Sequence, residues 1–109
     1  MISEFNFEDF LLKAHKANVS DIHFREGKPP SLRVDGKILR TAIAPLSEQD
    51  FENILVKITK KDILENIRMS NNIDFTYEIP NLSRYRVNYC KDLGMPKLTL
   101  RVIPYNIPT

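Results

Sequence analysis

The chain has 109 residues, a formal net charge of +2, and a composition of 42% hydrophobic and 28% charged residues, which fits one globular domain with a modest core rather than two. So small a charge gives no argument for a nucleic-acid or anionic-membrane partner, and a single cysteine, Cys90, excludes an internal disulfide and a thiolate zinc site. No apolar run approaches the roughly 20 residues of a membrane span and no secretory signal opens the chain, so a reducing cytoplasm is the expected setting.

Ser3 or Asn6 is placed to cap a first helix, since a short polar side chain there accepts from the exposed N–H groups of the first turn. Phe7, Phe10, Leu11 and Ala14 follow at helical spacing on one face, and Asn18 is a fitting left-handed stop. Residues 20–25 read as a short strand, with Ile22 and Phe24 inward and Asp21, His23 and Arg25 outward. Gly27-Lys28-Pro29-Pro30 breaks it. Residues 31–34 and 37–40 flank Asp35-Gly36, the strongest short hairpin signal in the chain, and residues 41–46 are expected to add a further extended piece. Ser47 caps the next helix, with Asp50 in the capping-box position and Phe51, Ile54, Leu55 and Ile58 as the buried stripe. Thr59 is expected to cap a third helix, on which Ile63, Leu64 and Ile67 recur before Ser70-Asn71-Asn72 ends it.

Alternating runs follow at residues 73–79, 83–89 and 98–104, the period-two signature of strands with one buried face. Residues 91–97 hold Gly94 and Pro96, so a hairpin is the economical connection between the last two runs. Matching Tyr85, Val87 and Tyr89 to Leu98, Leu100 and Val102 requires paired residue numbers with an odd sum, because a one-residue slip turns one face outward. A register that sets Tyr89 opposite Leu98 and Val87 opposite Leu100 also sets Arg86 opposite Arg101. Like charges so placed are unfavourable by a few tenths to about 1 kcal/mol, and something acidic should answer them. A surface salt bridge from Glu78 does so without any function, because matching residues 73–79 to Tyr85 and Val87 needs an even sum that can bring Glu78 to Arg86. The result is an α+β domain, an antiparallel sheet with helices packed on one face. Residues 104–109, with two prolines and no periodicity, have linker chemistry.

Candidate chemistry is scarce. Asp21 and His23 share a strand face and could pair, but no serine or cysteine nucleophile is placed beside them, so a polar sheet face is the simpler account. Two separated histidines do not make a metal site. A P-loop needs a glycine, four residues, then Gly-Lys-Ser/Thr to wrap phosphates with backbone N–H groups. Only Gly27, Gly36 and Gly94 exist, and Gly27-Lys28 and Gly36-Lys37 run on into Pro29 and Ile38. This chain alone should neither hydrolyse nor tightly bind a nucleotide.

The segments Ser20-Asp21-Ile22-His23-Phe24, Gly27-Lys28-Pro29-Pro30 and Arg33-Val34-Asp35-Gly36 closely resemble the opening motifs of PilT-type twitching-motility ATPases. So do Asp74-Phe75-Thr76-Tyr77, Arg84-Tyr85-Arg86-Val87-Asn88 and Leu100-Arg101-Val102-Ile103-Pro104, in the same order and with compatible spacing. The resemblance, to a family within the type II/type IV secretion ATPases, implies a PAS-like N-terminal domain over residues 1–103. It implies a linker from 104–109 to a RecA-like core beyond Thr109, where ATP and Mg would bind; this chain by itself would hold no cofactor and no metal. The implied whole is a cytoplasmic homo-hexamer that retracts type IV pili at the inner face of the cell membrane. Its partners are neighbouring cores and the pilus machinery, with no nucleic acid. Arg86 and Arg101 map by motif onto arginines that reach the ATP phosphates, with Arg84 as the secondary candidate. Without its core, the fragment is expected to be a monomer or weak oligomer. Asn72 departs from the family pattern, which often has an acidic residue two positions before the Asp-Phe pair. A pilus-assembly or type II secretion ATPase is the alternative within the superfamily, and a free-standing PAS-like sensor is the alternative outside it.

Overall fold

Two three-stranded meanders lie side by side in a single antiparallel sheet, joined where the first strand of one meets the last strand of the other. The computed structural model describes residues 6–59, 61–69 and 71–103. In chain order the elements are α1 (Phe7–Lys16), β1 (Asp21–Arg25), β2 (Ser31–Val34), β3 (Lys37–Arg40), α2 (Glu48–Ile58), α3 (Lys61–Met69), β4 (Asn72–Ile79), β5 (Ser83–Asp92) and β6 (Met95–Ile103). The strand order β3-β2-β1-β6-β5-β4 places β1 and β6 at the centre. It also obliges the chain to travel from one sheet edge at β3 to the other at β4. The residues of α2 and α3 together span about 30 Å, enough to cross a sheet about 24 Å wide.

The helices form for local reasons and are held by what they bury. Asn6 caps α1 by accepting from the Asp9 backbone N–H at 2.9 Å, while the alternative cap, Ser3, lies outside the described residues. Phe7, Phe10, Leu11 and Ala14 are its buried positions, and Asn18 follows with φ 58°. Ser47 and Asp50 complete both halves of a capping box on α2, whose buried residues are Phe51, Ile54, Leu55 and Ile58. Glu8 of α1 pairs with Lys57 of α2. Thr59 differs from expectation: its hydroxyl donates back to the Leu55 carbonyl at 2.6 Å, closing α2 instead of opening α3. The Leu55 carbonyl, one of the last of the helix, takes both the backbone N–H of Thr59 at 3.1 Å and its hydroxyl, which keeps that side chain on α2. These stripes meet Ile22, Phe24, Leu98, Leu100, Tyr85, Val87 and Tyr89 of the sheet in one core. Phe24 sits between Phe7 and Phe10, with ring centroids 5.8 and 5.7 Å away.

The turns set the registers. Asp35 and Gly36 both have positive φ, 50° and 79°, as a two-residue hairpin of this twist requires. The β5–β6 connection is shorter than the expected seven-residue linker, because Leu93 (φ 54°) and Gly94 (φ 80°) make the same kind of turn and the strands run up to Asp92 and Met95. Pro96 is tolerated inside β6 because β1 reaches only as far as Lys97, so no neighbour on that side needs its missing N–H. Residues 41–46 form no strand; a single bridge ties Leu46 to Glu26, through hydrogen bonds of Gly27 to Leu46 and Leu46 to Lys28. The sequence from 104 to 109, expected to begin a linker, lies outside the described residues.

Candidate functional site

The face of the sheet turned away from the helices collects the charged residues of five strands in ordered rows. Antiparallel pairing sets Arg33 of β2, Asp21 of β1, Arg101 of β6, Arg86 of β5 and Thr76 of β4 side by side. One step along, the row is Ser31, His23, Thr99, Asn88 and Asp74. The β5–β6 register is the expected one residue for residue: Tyr89 faces Leu98, Val87 faces Leu100, and Arg86 faces Arg101. The 73–79 run keeps the expected even sum but sits two residues from the salt-bridge register, so Glu78 stands opposite Arg84 and Thr76 opposite Arg86. Glu78 therefore does not answer Arg86. Among the described residues no carboxylate lies within ion-pair distance of the Arg86 guanidinium.

Asp21 is the acid that answers the arginine pair, through Arg101. Its Oδ1 accepts from Arg101 Nε at 3.0 Å, and its Oδ2 lies 3.6 Å from Arg33 Nε and accepts from the Ser20 hydroxyl at 3.3 Å. Only 9% of the Asp21 side chain is exposed, against 71% for Arg101. A carboxylate this buried is tolerated because guanidinium groups flank it on both sides. Sequence reading placed Asp21 outward beside His23 and missed this role. The residues it joins are 80 positions apart, and only the β1–β6 pairing at the sheet centre brings them together.

Asp21 and His23 share a face as expected, yet no hydrogen bond joins them. His23 Nδ1 instead lies 3.5 Å from Thr99 Oγ1. Burial lowers the His23 pKa from its usual 6.5, Lys97 pushes the same way, Asp21 opposes, and Arg33 and Arg25 add to the lowering. The imidazole is therefore neutral at pH 7. Asn88 uses its amide to donate to Asn72 at 2.7 Å and Asp74 at 3.0 Å, which gives Asn72 a defined place on this surface. Thr99 and Arg101 form a shared wall between two open grooves. One, of about 270 Å³, is completed by Asp74, Arg86 and Asn88; the other, of about 520 Å³, by Ser20, Asp21, His23 and Arg33. Arg25, Arg33, Arg84, Arg86, Lys97 and Arg101 on this face outweigh Asp21, Asp74 and Glu78. Such a surface attracts anions, and its paired guanidinium forks suit carboxylate or phosphate oxygens. No group of three or more His, Cys, Asp or Glu side chains that could hold a metal occurs among the described residues. No helix among them is long and apolar enough to cross a membrane.

Across 101 residues the chain is 28% identical to the type IV pilus retractation ATPase PilT of Pseudomonas aeruginosa, covering 93% of this chain and 29% of that protein. A crystal structure of the pilus retraction motor PilT with bound ADP matches the fold with a TM-score of 0.82 at 24% identity, over 96% of this chain and 31% of the other. The chain matches the N-terminal domain of PilT-type ATPases. The type IV pilus ATPase PilU of Pseudomonas aeruginosa is 24% identical over 103 residues, covering 94% of this chain and 27% of that protein. The Legionella pneumophila ATPase DotB gives a TM-score of 0.78 at 30% identity, over 98% and 31% of the two chains. No protein-family model matches. The chain thus spans less than a third of the length of these relatives, and its α+β sheet with three helices is the part shared with the PilT-type N-terminal domain.

Proposed function

We propose that residues 1–103 form the PAS-like N-terminal domain of a hexameric ATPase that retracts type IV pili, and that residues 104–109 open the linker to its RecA-like core. The core holds ATP and Mg²⁺. This domain packs on the core of a neighbouring subunit and presents Arg86 and Arg101 to the triphosphate, with Arg84 as a secondary contact. The assembly works at the cytoplasmic face of the inner membrane on the pilus machinery, without nucleic acid.

The observation that carries this reading is the cross-strand pairing of Arg86 with Arg101 on the open face of the sheet. Two adjacent guanidinium groups repel each other until an anion joins them. A triphosphate supplies that anion, and each planar fork can engage two of its oxygens. Positive charge fixed near a transferring phosphoryl also stabilises the charge that spreads over its equatorial oxygens. The chain's glycines all occupy turns, at Gly27, Gly36 and Gly94, so on this reading the loop that wraps the phosphates is supplied by the core. The 30% identity to DotB, above the 24% to the PilT structure, favours a second reading in which the same domain serves another ATPase of this superfamily. The coding sequence beyond Thr109 tests the class directly. A strand, a P-loop and a helix there support the ATPase, whereas a stop codon or a signalling helix makes the domain a free-standing ligand sensor.

A further inference from the structure

We infer that Asp21 is a positioning residue for Arg101: its buried carboxylate grips Nε and so fixes where the outer N–H groups of the guanidinium meet a phosphate. The inference rests on the reading above that Arg101 contacts ATP. An arginine side chain as exposed as this one has many rotamers of similar energy, and only a fraction aim the fork at one place. The 3.0 Å bond at Nε fixes the plane of the group through its inner nitrogen. The carboxylate that does this is itself fixed. It is rooted in a central strand, almost wholly buried, beside a Ser20 hydroxyl that it shares with the Arg33 carbonyl, and flanked on its far side by the Arg33 guanidinium. Arg86 has no such anchor among the described residues. The two arginines are therefore unequal: Arg101 is set before the nucleotide arrives, and Arg86 is ordered by it.

Charge alone predicts the opposite sign. A carboxylate beside a phosphate site repels the ligand, so if Asp21 were only a counter-charge its neutralisation would tighten ATP binding and leave turnover intact. If it positions Arg101, neutralisation lowers turnover instead, because small misplacements of a group that stabilises the transition state are costly. Steady-state hydrolysis by the full-length protein separates the two, with Asp21→Asn, Arg101→Ala and the double variant compared at equal assembly size and thermal stability. Asp21→Asn is expected to lower kcat by about 10- to 100-fold, with KM for ATP within about 3-fold of the parent. The double variant should be no slower than Arg101→Ala alone, since both changes remove one interaction. Asp21→Glu, which keeps the charge but moves the carboxylate by one methylene, should not restore turnover, and it decides the matter if Asp21→Asn fails to fold. Unchanged or raised kcat with a lower KM in Asp21→Asn, restoration by Asp21→Glu, or losses that multiply in the double variant would overturn the inference. If Arg101→Ala itself turns over normally, the phosphate-contact reading falls and this inference with it; if Arg101→Ala collapses while Asp21→Asn is normal, the inference alone falls.

Discussion

Replacing Phe24 by alanine removes the ring on which the sheet and the first helix meet, and its cost can be worked from the packing. Phe24 is fully buried on the central strand β1, with the Phe7 and Phe10 rings tilted against it at 51° and 58°. Truncation of a core phenylalanine costs about 3–5 kcal/mol, of which each aromatic pair accounts for about 0.5–1.5 kcal/mol. A chain of this length has a total stability of about 5–16 kcal/mol. Phe24→Ala should thus take a large share of it and lower the urea midpoint by about 2 M, at a slope near 2 kcal/mol per M. Equilibrium urea unfolding followed by far-UV circular dichroism measures this. A loss below about 1 kcal/mol with an unchanged slope would mean that α1 does not pack on β1, and the central placement of Asp21 on that strand would lose its support.

Two smaller perturbations test other parts of the structure. Leu93 is 98% exposed at φ 54° just before Gly94, a position that suits asparagine far better than a branched apolar side chain; Leu93→Asn should stabilise the domain by about 1 kcal/mol in the same urea experiment, and a loss of stability would refute the turn assignment. For His23 the folded pKa lies below the unfolded 6.5, so the unfolded state binds the extra proton, and stability falls as pH drops through 6.5 towards the folded value. His23→Gln should flatten that part of the stability–pH curve while leaving stability above pH 7.5 little changed, and an unaltered pH slope would contradict the assigned environment.

What the sequence made legible was local or periodic. The odd-sum register of the last hairpin follows from matching apolar faces alone, and it sets Arg86 opposite Arg101 as the structure does. Asp35-Gly36 and the Ser47–Asp50 capping box were readable because each acts within four residues. The two-residue turn at Leu93-Gly94 is shorter than the 91–97 connection the sequence suggests, since leucine is a poor signal for a left-handed position. The offset of Glu78 from Arg86 was invisible because parity fixes which face a residue takes, not which of two even registers the Pro80-Asn81-Leu82 turn selects. The larger omission was Asp21. Its partner lies across a strand pair closed only when the two meanders dock, and no pattern within either meander announces that contact.

The central claim, that Arg86 and Arg101 act on the ATP phosphates, is tested most directly by the steady-state ATP hydrolysis rate of Arg86→Ala and Arg101→Ala in the full-length protein, normalised to the intact assembly. Arginines that stabilise a transferring phosphoryl are worth about 10³–10⁵ in rate, whereas an arginine on an open sheet face affects stability by only fractions of a kcal/mol. Both variants should fold and assemble like the parent while turnover falls by orders of magnitude, with lysine a poor substitute at either position because it lacks the planar fork. Near-normal turnover in both alanine variants would contradict it and leave the pair as part of a solvated, basic sheet surface.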